Sequence, residues 1–228
     1  MKKLKLKQDN ILVIPDLHAP FTAAGFLNFC RYYQQMFYCG TVVFLGDLID
    51  NHFSSFHDTD PDADHAAGQE LEAAIETIEG YYRAFPVAKV VLGNHDKIPA
   101  RKTFNSGVSK RWLKSIGEVL QTPGWEYSIT HVVYNILVHH GKGQNALKRC
   151  EDMGQSVVQG HHHSQSSINY TGNGIFSLQV GCGIDRDSYA FAYGEDTKKQ
   201  KLNLGIVLDA AANPIPLLVK YVREEWEK

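Results

Sequence analysis

Apolar positions along the chain alternate between short unbroken runs and longer stretches in which they recur every three or four residues. The runs at 11–15, 42–45 and 87–92 are short, β-branched and bounded by turn residues, which predicts buried strands. Between them, 22–37 and 66–85 read as amphipathic helices. In the second, Leu71, Ile75 and Ile78 share one face, with Glu70, Glu72, Glu76 and Glu79 around them. This β-α-β-α-β opening predicts an α/β fold whose sheet is covered by helices. A third helix is expected over 109–117. The second half is strand-rich, with runs at 125–129, 131–138, 157–159, 166–170, 175–180, 202–208 and 215–221, interrupted by one helix at 144–153. A two-sheet β-sandwich flanked by helices, in an α/β (α+β) chain, accommodates this pattern better than one open sheet.

Composition narrows the reading. With 228 residues, 43% of them hydrophobic, residues 1–228 are expected to form one domain with a sizeable core. No apolar stretch approaches the ~18 residues of a membrane span. The basic N-terminus leads into an apolar run too short for a signal segment and interrupted by Pro15 and Asp16. Four cysteines, Cys30, Cys39, Cys150 and Cys182, have neither CxxC spacing nor the density of a disulfide scaffold. Together these predict a cytoplasmic protein with reduced thiols and no membrane partner. The formal net charge of −2 gives no global cationic field to hold nucleic-acid phosphates, so net charge does not support a pure nucleic-acid-binding module.

The chemistry lies at the ends of the apolar runs. Ile14-Pro15 leads to Asp16-Leu17-His18, Phe44-Leu45 to Gly46-Asp47-Leu48-Ile49-Asp50, and Val91-Leu92 to Gly93-Asn94-His95-Asp96. Later, Val138 leads to His139-His140-Gly141 and Val158-Gln159 to Gly160-His161-His162-His163. Ligands of α/β sheets gather at the carboxyl ends of strands, so these tips are expected to converge. Aspartate, asparagine and histidine together suit borderline divalent metals such as Mn, Fe, Zn or Ni, whereas carboxylates alone would suit Mg or Ca. The adjacent glycines allow sharp turns and close backbone approach. Any one of these motifs occurs by chance; five in order, each after an apolar run, is a specific signal.

The series Asp16-x-His18, Gly46-Asp47-x-x-Asp50, Gly93-Asn94-His95-Asp96, His140-Gly141 and Gly160-His161-x-His163 resembles the calcineurin-like metallophosphoesterase superfamily, over about two thirds of the chain. The resemblance implies a helix-flanked β-sandwich holding two divalent metal ions, of which manganese is the first expectation. It implies that Asp16, His18 and His163 bind one ion, that Asn94, His140 and His161 bind the other, and that Asp47 bridges both. It favours His140 over His139 as ligand, being directly before glycine. His162 is expected to face away. A hydroxide bridging the two ions would attack phosphorus in line, His95 would protonate the leaving oxygen, and Asp50 would hold the His95 imidazole. Asn94 and His95 would also meet the substrate. Asp96 is expected to close the turn after His95.

The sequence departs from the protein-phosphatase branch, where Arg-Gly follows GDxxD and Glu follows GNH. Here those positions are Asn51-His52 and Asp96. A dianionic monoester gains most from a bidentate arginine, so a phosphodiester, nucleotide-type or another small ester, is the expected substrate. A DNA-processing nuclease of the same superfamily is the nearest alternative and a phosphomonoesterase the next. A non-catalytic metal-binding scaffold would be signalled by loss of His95 or of a ligand, and none is lost. The acidic insert with His57, Asp58, Asp60, Asp62, Asp64 and His65 reads as a solvated loop rather than an extra metal site. Residues 185–201, with Arg186, Tyr189, Tyr193 and Lys198, read as a loop. The segment 97–114, basic with Phe104 and Trp112 interleaved, fits either a nucleic-acid surface or a solvated helix with Trp112 buried. The last residues, with Tyr221 and Trp226, read as a self-association segment or a surface tail.

Overall fold

The computed structural model describes residues 5–54, 67–185 and 200–227. The acidic insert (His57, Asp58, Asp60, Asp62, Asp64, His65) and Arg186, Tyr189, Tyr193 and Lys198 lie outside the described residues.

Two sheets pack face to face with helices outside them. The first has the order β11-β10-β1-β2-β3-β4 and comprises β1 (Lys7–Ile14), β2 (Cys39–Phe44), β3 (Ala88–Val91), β4 (Trp125–Ser128), β10 (Asn203–Leu208) and β11 (Ile215–Lys220). Strands β1 to β4 run parallel, and β10 joins β1 antiparallel. The second sheet has the order β5-β6-β7-β9-β8, from β5 (Thr130–Val133), β6 (Ile136–His139), β7 (Val157–Gln159), β8 (Ser167–Tyr170) and β9 (Phe176–Gln179). Its three inner strands, β6, β7 and β9, are parallel.

The two-residue period of a strand sorts the apolar side chains between layers. Ile11, Val13, Val43, Leu45 and Val91 point inward and meet Ile136, Val138 and Val158 of the second sheet. Leu12, Ile14, Phe44 and Val90 point outward, under helices α1 (Phe26–Met36) and α2 (Ala67–Ala84). Leu137 and Val157, on the far face of the second sheet, lie under α5 (Ala146–Met153). Central strands covered on both faces carry continuous apolar runs, which is why the strand ends stood out in the sequence.

Two expectations are corrected. The run 131–138 is a hairpin, β5 and β6, because Tyr134 and Asn135 both take left-handed backbone angles (φ 48° and 61°), as a two-residue primed turn requires. The helix expected over 109–117 does not form as one piece. Ser109 caps a single 3₁₀ turn (Lys110–Trp112), and Ser115 opens α4 (Ile116–Val119) with a capping box to Glu118, so two serines start two short elements. A helix that the apolar pattern did not predict, α3 (Ile98–Asn105), precedes them with Pro99 in its first turn. The C-terminal segment forms α6 (Arg223–Trp226), with Trp226 edge-on to Phe29 and Tyr32 of α1.

Candidate metal centre

Parallel strands deliver the motif loops to one end of the sandwich. The first-sheet loops are stitched by main-chain hydrogen bonds: Leu17 N–H and His18 N–H both donate to the Asp47 carbonyl (3.1 and 2.9 Å). His18, Asp47, Asn51 and His161 hold left-handed φ angles of 49°, 44°, 54° and 68°, a cost tolerated where it aims side chains inward. Two glycines are required by close approach. A Cβ on Gly93 would lie 2.0 Å from Asp47 Oδ1, and one on Gly160 would lie 2.3 Å from Asp16 Oδ1.

The loops assemble two mixed groups whose donor atoms each fall within 4.8 Å of one another: Asp16, His18 and His163, and Asp47, His140 and His161. His163 Nε2 is 3.2 Å from Asp16 Oδ2. His140 Nε2 is 3.2 Å from Asp47 Oδ2, 2.9 Å from Asn94 Oδ1 and 3.1 Å from His161 Nδ1. Asp47 Oδ2 also lies 3.6 Å from His18 Nε2, so this carboxylate faces both groups. Asp16 Oδ1 is buried with no hydrogen-bond partner. A buried carboxylate oxygen left so is costly unless a cation completes it, and the nitrogen and oxygen donors around it suit a divalent ion. The residues present therefore fit metal ions.

The rings are oriented from behind. His140 Nδ1 donates to the Leu45 carbonyl (2.8 Å), which turns Nε2 toward Asn94 and Asp47. His161 is fixed through its backbone, its N–H donating to Asp16 Oδ2 (2.8 Å). Electrostatics follow the carboxylates. Burial opposes charge on His140, but Asp16 and Asp47 outweigh it and push its pKa up to about 10. Burial and the charge of His140 push His161 down to about 4. Burial would raise Asp47, yet His140, His18 and His95 hold its carboxyl well below the usual range.

His95 stands at the mouth of these groups, its ring centroid 4.5 Å from that of His18. Its Nδ1 donates to the Asp50 main-chain carbonyl (2.5 Å), while Asp50 Oδ1 is 3.4 Å away. The Asp50 carboxylate is closer to His18, whose Nδ1 donates to Oδ1 at 2.5 Å. His18, Asp50 and His95 thereby form a third group of converging donors. Burial disfavours the His95 imidazolium, but Asp47 and Asp50 more than compensate, and its pKa rises. Asp96 accepts from Gly93 N–H (2.8 Å) and Leu48 N–H (2.9 Å), tying the GNHD turn to the GDxxD turn. Asn51 Nδ2 donates to the His95 carbonyl (3.0 Å).

His139 belongs to none of the three groups; its Nδ1 accepts from Gly141 N–H (2.8 Å). Burial first, then Arg149 and His140, depress it to about 4. His162 points its Nε2 at the Gln144 carbonyl (3.1 Å), away from the donors. Two supports could not be picked out of the sequence. Glu70 is buried and accepts from His52 N–H and Phe53 N–H (2.7 and 2.9 Å), anchoring the loop after Asp50. Arg149, on α5, reaches Gln159 Oε1 through Nε (2.7 Å) and the Lys142 carbonyl through Nη2 (3.3 Å). No local motif marks either residue; only folding brings them to the site.

The sequence matches the calcineurin-like phosphoesterase family over residues 10–191, an interval that contains every donor described above. The chain belongs to this family. Phosphoester hydrolysis is thus the class of chemistry, and phosphate esters the class of substrate. No curated protein matches the sequence. Among solved structures, a novel archaeal phosphodiesterase superposes with a TM-score of 0.51 at 13% identity, over 92% of this chain and 99% of that one. Vps29 from Entamoeba histolytica, as a single mutant, gives 0.47 at 14% identity, covering 93% and 99%. The phosphoesterase Yfce from E. coli gives 0.47 at 12%, covering 92% and 98%. At such identities the first of these supports the fold alone. Among the described residues, no helix of this family member is long and apolar enough to cross a membrane.

Proposed function

We propose that the protein is a dinuclear-metal-dependent phosphodiesterase acting on a nucleotide-type or other small diester. The observation that carries this reading is the pair of mixed aspartate–histidine groups, with the Asp47 carboxylate of one also facing His18 of the other and His95 beside them. Asp16, His18 and His163 would hold one divalent ion, Asn94, His140 and His161 the other, with Asp47 between them; manganese is the first candidate, with Fe, Zn and Ni behind it. When bound, the two ions supply Lewis acidity to the phosphoryl oxygens and a nucleophile from water at neutral pH.

The chain's own residues do the rest. The Asp50 carbonyl accepts from His95 Nδ1 and so leaves Nε2 as the atom facing outward. The nearby Asp47 and Asp50 carboxylates raise its pKa and so favour the protonated ring, which suits a donor to the leaving oxygen. Asn94 and His95 are the first side chains a substrate would meet. Asp50 Oδ1 steadies His18 and assists His95. The diester preference rests on the absence of an arginine after Asp50. Arg149 does not replace it, because its Nε and Nη2 are already engaged by protein acceptors. The same reading sets the enzyme in the cytoplasm, where thiols such as its four buried cysteines stay reduced.

The test is hydrolysis of bis-p-nitrophenyl phosphate and p-nitrophenyl phosphate by metal-stripped protein titrated with Mn²⁺. Metal-dependent turnover favouring the diester is expected. A preference for the monoester would overturn the argument from the missing arginine.

A further inference from the structure

The segment that begins two residues after His95 has no task in the chemistry above, and its composition is unlike the rest of the chain. From Lys97 to Lys114 it carries six cations, Lys97, Arg101, Lys102, Lys110, Arg111 and Lys114, and no acidic residue. The other residues hold 17 lysines and arginines against 25 acidic groups, so this stretch is a positive island on a negative protein.

Its aromatic residues are not core. Trp112 is 85% exposed and Phe104 78% exposed, so Trp112 is not the buried anchor of a solvated helix. Val108 and Leu113 are exposed with them. Large apolar side chains left together in water, among cations, mark an interaction surface rather than a folding element. The 3₁₀ turn bearing Trp112 lies close along the chain to α3, which bears Phe104.

The segment starts at the metal centre. Ile98 N–H, the first of α3, donates to the His95 carbonyl (3.0 Å), and the charge of Lys97 is felt by His139. A ligand bound at the start of the segment would therefore lie beside His95.

We propose that residues 97–114 bind single-stranded nucleic acid, with Phe104 and Trp112 as stacking platforms and the cations following the phosphates. Unstacked bases offer apolar faces at regular intervals beside a chain of negative charges, the complement of this arrangement. The strand's own diester linkages would be the substrate of the adjacent centre, so the proposal rests on the phosphodiesterase reading and names its substrate class. A cleaved linkage takes up one water, leaving a phosphate monoester on one fragment and a hydroxyl on the other.

The experiment is fluorescence anisotropy of labelled oligo(dT), about 15 nucleotides long, with the full chain in EDTA so that the strand survives. Alongside it, the unaltered chain is assayed with Mn²⁺ on bis-p-nitrophenyl phosphate. Phe104→Ala and Trp112→Ala should each weaken oligo(dT) binding about 10-fold, as loss of one stacked base does. Lys110→Glu with Arg111→Glu should flatten the salt dependence of binding, by roughly 0.7 in log–log slope for each phosphate no longer neutralised. All these side chains are exposed, so melting curves should overlay that of the parent. Binding that the aromatic variants leave unchanged overturns the proposal. So does binding of phosphatidylserine-containing vesicles, with none of oligo(dT), which would make the surface a lipid site. Turnover of the small diester without oligo(dT) binding overturns this surface and leaves the phosphodiesterase standing. Oligo(dT) binding through Trp112 without such turnover supports the surface and removes the catalytic reading.

Discussion

The two sheets contribute unequally to the centre. Among the described residues, the centre's carboxylates, Asp16, Asp47, Asp50 and Asp96, come from first-sheet loops, along with Asn94, His18 and His95. The second sheet sends histidines: His140, His161 and His163. The support between them runs mostly one way. First-sheet groups hold second-sheet rings, through the Leu45 carbonyl on His140 and the Asp16 carboxylate on the His161 backbone. The first-sheet loops are held by one another, through Asp96 and the Asp47 carbonyl. Anionic charge is thus fixed deep in the first-sheet loops, and imidazole donors are brought to it across the sandwich. The inter-sheet core is accordingly part of the site, since it sets the distance between the halves.

Substitutions can break this division of labour. The largest effect is expected from Asp47→Asn, which removes a charge facing both groups; turnover should fall to background and bound metal, measured by plasma emission, should fall with it. His95→Asn should lower kcat about 10²- to 10⁴-fold on esters with poor leaving groups while metal content stays intact. Equal metal loss in both variants would end the separation of ligand from proton donor. Next comes Leu45→Ala, fully buried between the sheets, expected to cost about 2–5 kcal/mol in urea unfolding and to weaken metal binding by loosening the halves. Should stability fall while metal affinity stays constant, the halves are positioned by their loops alone. The smallest effect belongs to His162→Ala, about 1 kcal/mol or less for one neutral hydrogen bond, with unchanged metal stoichiometry. A lost ion there would show that the middle histidine is not a bystander.

The same asymmetry explains what could be read from sequence. The first sheet was legible because its parallel inner strands are buried on both faces, and an unbroken apolar run ending in Asp or His signals itself. The residues of both mixed groups were legible for that reason, and because the order of motifs resembles the family. The second sheet was harder. Tyr134-Asn135 lacks the glycine that usually announces a two-residue turn, so two short strands read as one. The helix expected over 109–117 spans Ser109 and Ser115, both local helix starts, while Pro99 marks a first turn that the apolar pattern does not reveal. Exposure of Trp112 was beyond composition, since aromatic and basic residues interleave alike in an amphipathic helix and on a binding surface. The hydrogen bonds of Glu70 and Arg149 join residues far apart in the chain and leave no local trace.

Two imidazoles in this centre, His140 and His95, are gripped at Nδ1 by peptide carbonyls, those of Leu45 and Asp50. Exchanging the side chain at 45 or 50 would leave each of these oxygens in the chain. Over evolutionary time, the lineage can therefore vary its substrate surface and even its supporting carboxylate while inheriting the orientation of both rings with the backbone itself.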